Sequence, residues 1–312
     1  MTLHIDSRIN LKYHKGTSCY NIGCRLLVFF LLVVHPTFTK AQDNEQSIFW
    51  KVSGNGLRKP SFLFGTFHLM GYRFVDSLKE TLKALENCDI IVGELVTGSV
   101  DEKILNQALL KDITLDSLLG KDLYNNTNEW LHELGGFDLS ILNKMKPMLI
   151  EITMLGLVQQ KYFPQAIGPA IDDYFQLLGK GKGKKVMGLE SAEFQMQTLL
   201  GTLSLERQVA VLAEFVKNKA ACSVSMGKMF NAYRAQKISE FMALLDEEEG
   251  YSEAERKKLL EDRNANWMKG LPGIFQRESA FVAVGALHLY GPFGLISLLR
   301  EKGFHVEPMA IR

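Results

Sequence analysis

The chain has 312 residues, with 36 lysines and arginines against 35 aspartates and glutamates. So even a balance gives no electrostatic footprint for nucleic acid. Of four cysteines only two lie beyond residue 41, and two are no disulfide framework; the length suits one large domain or two small ones.

The chain begins polar and basic, with Arg8, Lys12, Lys15 and Arg25 ahead of the apolar run Leu26 to Val34. That run is far shorter than the roughly 20 apolar residues of a membrane-spanning helix. The pattern reads as a secretory signal over residues 1–41, with Ala41 the last residue before cleavage. It implies export to the periplasm or cell envelope. An uncleaved anchor is the alternative and would leave the protein associated with a membrane. Cys24 precedes the apolar run, so no lipid-attachment cysteine is in place. Removing residues 1–41 takes away five basic residues and one acid, leaving 31 against 34, a net of −3. Cys88 and Cys222 remain, either as one disulfide or as free thiols. Residues 42–312 read as a single domain, and the glycine- and lysine-rich stretch from Gly179 to Lys185 reads as a loop.

The first predicted strand is the apolar run "SFLFGTFH", Ser61 to His68. Ser77 and Glu80 have the spacing of a capping box, and Leu78, Leu82 and Leu85 mark one face of the helix that follows. "DIIVGEL", Asp89 to Leu95, is a second strand, so residues 61–95 read as β–α–β. The middle of the chain is helical. "AIDDYFQLLGKG" is a helix ending in glycine, and "KKVMGLE", Lys184 to Glu190, is a lone strand within the block. Leu205, Val209, Leu212, Ala213 and Val216 share one helix face. "MGKMFNAYRAQKISEFMALLDEEE" reads as one long methionine-rich helix. Its Met226, Met229 and Met242 form either an adaptable peptide groove or plain core. Ser252 and Glu255 make another capping box before the charged helix that carries Arg263 and Asn264. At the end, "SAFVAVGALH", a helix stopped by Gly303 and the strand "FHVEPMAI" repeat the first plan.

Both ends of the chain therefore carry strand–G-x-x-H–helix–strand. The fold class is α/β, with α+β as the alternative. Its core is a mixed sheet holding the two β–α–β units side by side, with a large helical insertion in the middle. In such sheets ligands sit beyond the carboxyl ends of the strands. His68, Glu94, Glu190 and His288 all fall there, and a carboxylate such as Glu94 in an apolar setting demands a partner. Two imidazoles with one or two carboxylates suit a divalent metal, and equally suit acid–base work without one. Asp172, at a helix start, either joins them or serves only the helix dipole. Glu190 either joins them or caps the helix after it. Arg263 either steadies an oxyanion or makes an exposed salt bridge with Glu261 or Asp262. His132 reads as a solvated helix residue, and His305 has no partner pattern.

The ordered set "FLFGTFHLMG", "IIVGEL", "KKVMGLES", "EDRNANWM" and "FVAVGALHLYGPFGLISLLREKGFHVE" resembles the TraB/GumN family, which includes the Tiki-type proteins. The likeness spans nearly all of residues 42–312. It implies a fold shared with Tiki-like and erythromycin-esterase-like proteins, and a metal-dependent peptidase acting on a peptide or protein. It also implies His68, Glu94 and His288 as ligands of a divalent ion (manganese, cobalt or zinc), with Glu190, Arg263 and Asn264 as the catalytic set. Phe67 stands where a smaller residue is usual in the motif. A metal-free esterase or amidase is one rival reading. A peptide-sequestering protein of the pheromone-shutdown type is the other.

Overall fold

The computed structural model describes residues 47–99, 101–249 and 251–312. The expected signal and its cleavage site lie outside the described residues. Among the described residues six strands form one sheet: β1 Phe49–Ser53, β2 Ser61–Thr66, β3 Ile90–Gly93, β4 Lys185–Gly188, β5 Ala280–Gly285 and β6 His305–Pro308. Their order across the sheet is β4-β3-β5-β2-β1-β6. The four neighbours β4, β3, β5 and β2 are parallel, and β1 runs antiparallel to both β2 and β6. The sheet is therefore mixed, as expected.

The two β–α–β units share this sheet but interleave. β5 lies between β2 and β3, because each crossover skips over a strand of the other unit. β1 is an addition to the sequence reading. Its Phe49, Trp50 and Val52 are fully or almost fully buried.

Among the described residues, thirteen α-helices surround the sheet. The first seven are α1 Lys79–Asn87, α2 Glu102–Leu105, α3 Leu115–Gly135, α4 Pro147–Tyr162, α5 Ile171–Gly181, α6 Ala192–Thr202 and α7 Leu205–Lys217. The rest are α8 Lys219–Arg234, α9 Ile238–Glu249, α10 Glu253–Arg256, α11 Asp262–Trp267, α12 Leu271–Arg277 and α13 Leu295–Glu301. The apolar runs of β2, β3 and β5 arise because both faces of the sheet are covered. Phe62, Phe64, Ile91, Phe281 and Ala283 pack on one face with Leu85 of α1 and Phe175 of α5. Leu63, Ile90, Val92 and Val282 pack on the other with α12 and α13. The helix after β2 and the helix after β5 thus lie on opposite faces. The neighbouring ends of β2 and β5 form a topological switch point, where open α/β sheets bind ligands.

Two local expectations change. The Ser77–Glu80 box does not form: Ser77 closes a 3₁₀ turn, its hydroxyl donates to Phe74 O (2.8 Å), and Leu78 is the residue before α1. The box at Ser252 and Glu255 is present in both directions. The long methionine-rich helix is two helices, α8 and α9, parted at Gln236, whose φ of 54° is left-handed. Met226 and Met229 are buried and Met242 packs against the same core, so this stripe is core. Cys88 and Cys222 are both buried and are not joined in a disulfide.

Candidate active site

Each of the four parallel strands delivers one titratable side chain within three residues of its carboxyl end. In spatial order these are Glu190 after β4, Glu94 after β3, His288 after β5 and His68 after β2. The strand-end glycines let the two corners meet. A methyl group on Gly65 would lie 3.1 Å from the Ala286 Cα, so the G-x-x-H segments touch backbone to backbone. A methyl group on Gly285 would lie 3.3 Å from Glu94 Oε1, 3.6 Å from His288 Cδ2 and 3.9 Å from His68 Nε2. Glycine at 285 keeps that cradle open, and both imidazoles and the carboxylate converge on it.

The helix carrying Arg263 supplies what binds them together. A π turn over Lys257–Glu261 precedes α11, a distortion often found at functional sites. Arg263 is 5 % exposed, not on the surface as one sequence alternative had it. Its Nε donates to both oxygens of Glu190 (3.1 and 3.2 Å). Its Nη2 donates to Glu94 Oε2 (2.6 Å) and Glu190 Oε1 (2.7 Å). Its Nη1 donates to Leu259 O (3.1 Å) and His288 Nε2 (3.0 Å). All five guanidinium N–H groups are thereby spent on the protein. Arg263 has no donor left for an oxyanion. It is a positioning residue, and its face also lies 4.9 Å from the Trp267 ring.

Glu190 is equally enclosed. It accepts from Arg263 and from Trp267 Nε1 (2.9 Å), and its side chain is 1 % exposed. It does not cap α6, whose cap is Ser191. Asn264 is 2 % exposed and fixes the His288 corner. Its amide nitrogen donates to the carbonyls of His288 and Phe293, and its Oδ1 accepts from His288 Nδ1 (2.7 Å). That contact sets the tautomer: His288 carries its proton on Nδ1 and offers Nε2 as an acceptor to Arg263. Burial pushes His288 down to about 3, with Arg263 and His68 adding to the effect against Glu94.

Burial pushes Glu94 up, but attraction to His288, Arg263 and His68 wins and holds it at about 2. His288 is neutral near pH 7, so at that pH the Arg263 guanidinium and the protonated His68 are the cations that keep Glu94 ionised. Glu94 also accepts from Gly285 N (2.8 Å) and Gln195 Nε2 (3.0 Å).

His68 differs. Its side chain is 62 % exposed, and Asp172 Oδ2 lies 3.1 Å from Nδ1. Asp172 raises it to about 9 against an opposing effect of burial, and water around the exposed ring moderates the attraction. Asp172 thus joins the site from the start of α5. The same helix braces the Glu94 loop, since Gln176 accepts from Thr97 N and donates to Leu95 O. Gln195 and Trp267 escaped the sequence reading. Gln195 carries no local signal, but Trp267 stands one helical turn after Arg263 on the same face.

The donor set meets a metal's demands only in part. Both imidazoles have Nδ1 paired with an oxygen, leaving Nε2 inward. Yet the His288 Nε2 lone pair and Glu94 Oε2 are both engaged by the Arg263 cation. Among the described residues, no three His, Cys, Asp or Glu side chains are placed to hold a metal ion. In this arrangement the residues do not fit a metal, because Arg263 already supplies the charge a cation would.

The model of the TraB/PrgY/gumN family matches residues 48–308. The chain belongs to that family. The matched span runs from the residue before β1 to the end of β6, so the whole sheet and every site residue of this TraB/PrgY/gumN protein lie within it. No curated protein and no solved structure matches the chain. No helix of the described residues is long and apolar enough to cross a membrane.

Proposed function

We propose that this TraB/PrgY/gumN protein hydrolyses amide bonds of peptides outside the cytoplasm, with its own side chains supplying the acid–base chemistry. The observation that carries the reading is His68, exposed at the switch point, oriented by Asp172 and aimed at the cradle beside Glu94 Oε1. A water in that cradle donates one hydrogen bond to Glu94 Oε1 and lies beside His68 Nε2. His68 in its neutral form takes a proton from the water as the water oxygen attacks the substrate carbonyl carbon. The imidazolium then returns that proton to the leaving nitrogen as the C–N bond breaks. Asp172 stabilises the imidazolium. Arg263, Glu190 and Asn264 act through Glu94 and His288 by fixing them in place.

A metal-assisted hydrolase is the second reading, favoured by the oxygen acceptor on each Nδ1, the pattern of histidines that ligate through Nε2. It requires Arg263 to release His288. The basic lead-in and the apolar run Leu26 to Val34 support export.

The test is turnover of a peptide library by purified protein, with elemental analysis beside it. Cleavage that survives chelation and is lost in His68→Ala supports the proposal. Cleavage lost on chelation and restored by one divalent ion supports the metal reading. Saturable peptide binding without cleavage contradicts both and favours sequestration.

A further inference from the structure

Two cavities lie one after the other along a single face of α6. The first, of about 510 Å³, opens beside Glu190 and is lined by Val96, Ser99, Ile104, Ser191 and Glu193. The second, of about 520 Å³, is walled by Met196, Gln197 and Leu200 of α6, facing Asn106, Leu110 and Ile113. Glu193, Gln197 and Leu200 recur at i, i+4 and i+7, one stripe of a helix. On the opposite wall, Ile104 and Asn106 are two residues apart. The two spaces therefore follow the same course between α6 and the 102–113 segment, away from the strand ends. The stripe from Glu193 to Gly201 spans about 12 Å at 1.5 Å per residue. That is the reach of about three to four extended residues.

The far cavity is apolar along much of its wall but carries two lysines, Lys111 and Lys146. Burial and the neighbouring Lys111 both weaken the hold of Lys146 on its proton. Asp112 is the acid that shares this lining. Two ammonium groups held near each other favour an anion between them.

We propose that this groove receives the substrate chain on one side of the reacting bond, and that Lys111 and Lys146 receive its terminal carboxylate. The class of substrate is then a short peptide with apolar residues and a free C-terminus, with about its last three to four residues lying along the α6 stripe. This rests on the hydrolase reading for its register, but the groove is read by binding alone.

The probe is an N-terminally fluorescein-labelled hexapeptide of alternating alanine and leucine, as free acid and as C-terminal amide. Anisotropy is followed on the full chain and on a Lys111→Gln, Lys146→Gln double variant. The free acid binds the wild type about tenfold or more tightly than the amide. The double variant binds acid and amide alike, at the affinity of the amide. Equal binding of acid and amide by the wild type overturns the proposal. So does discrimination that survives in the double variant. Laurate displacing the label as well as unlabelled peptide overturns the peptide as occupant. Discrimination without cleavage leaves the groove standing and sinks the hydrolase reading. Cleavage without discrimination does the reverse.

Discussion

The two G-x-x-H corners are alike in sequence and opposite in state. Each follows a buried parallel strand, and the strands are neighbours. His288 is 4 % exposed, held by Asn264 and Arg263, and pushed down to about 3. His68 is 62 % exposed, paired with Asp172, and pushed up to about 9. A shared motif brings both rings to one cradle. The partners at Nδ1 and the depth of burial then give one ring a structural role and leave the other free to exchange protons.

The largest effect that tests this contrast is Arg263→Ala. It strands Glu94 and Glu190 as buried charges, and stability falls by about 3–5 kcal/mol in urea denaturation. A loss below about 1 kcal/mol would show the network to be slack. The double variant with Glu190→Gln recovers part of the loss, because one stranded charge is gone.

Next come the two histidines themselves. His68→Ala lowers peptide turnover by about 10²–10⁴-fold, while stability falls by no more than about 1 kcal/mol, the worth of an exposed ion pair with Asp172. His288→Ala unpairs buried groups and costs about 1–3 kcal/mol. Equal effects of the two variants on stability would erase the distinction.

The third prediction concerns pH and rate. A general base works once deprotonated, so the rate climbs with pH and levels off near about 9. Asp172→Asn removes the main cause of that shift, and the climb moves down toward the ordinary imidazole value of 6.5. An unmoved pH profile would detach Asp172 from His68.

The last effect, spread over several pH units, is on stability in acid. The unfolded chain takes up a proton at His288 that the folded chain refuses. Stability therefore declines as pH falls below 6.5 and the loss is complete near about 3. One such group contributes at most about 1.4 kcal/mol per pH unit. Glu94 acts in the same sense lower down, its contribution present above 4.5 and lost as pH falls through about 2. His68 acts oppositely, its contribution lost as pH rises through about 9. His288→Gln flattens thermal melts between pH 4.5 and 6.5, and a wild-type curve already flat there refutes the assignment.

The sheet and the corner residues were legible because strand-end placement is local. The apolar runs of β2, β3 and β5 stop at glycine, and the next polar residues face the cleft. The interleaving of the units was hidden, since strand order depends on contacts far apart in sequence. The break at Gln236 carries no glycine or proline to announce it. At Ser77 the spacing suited a cap, but a preceding 3₁₀ turn claimed the hydroxyl. The state of Arg263 was illegible for a similar reason. Its charged neighbours suggested a wet helix face, whereas the π turn and the strand ends enclose it.

The most direct measurement is ¹⁵N NMR of the labelled histidine rings across pH. The account predicts a neutral His288 with its proton on Nδ1 that does not titrate between pH 7 and 5, and a His68 still protonated at pH 7 that loses its proton in the alkaline range. Both rings titrating together near the ordinary imidazole value, or His288 protonated on Nε2, would contradict it.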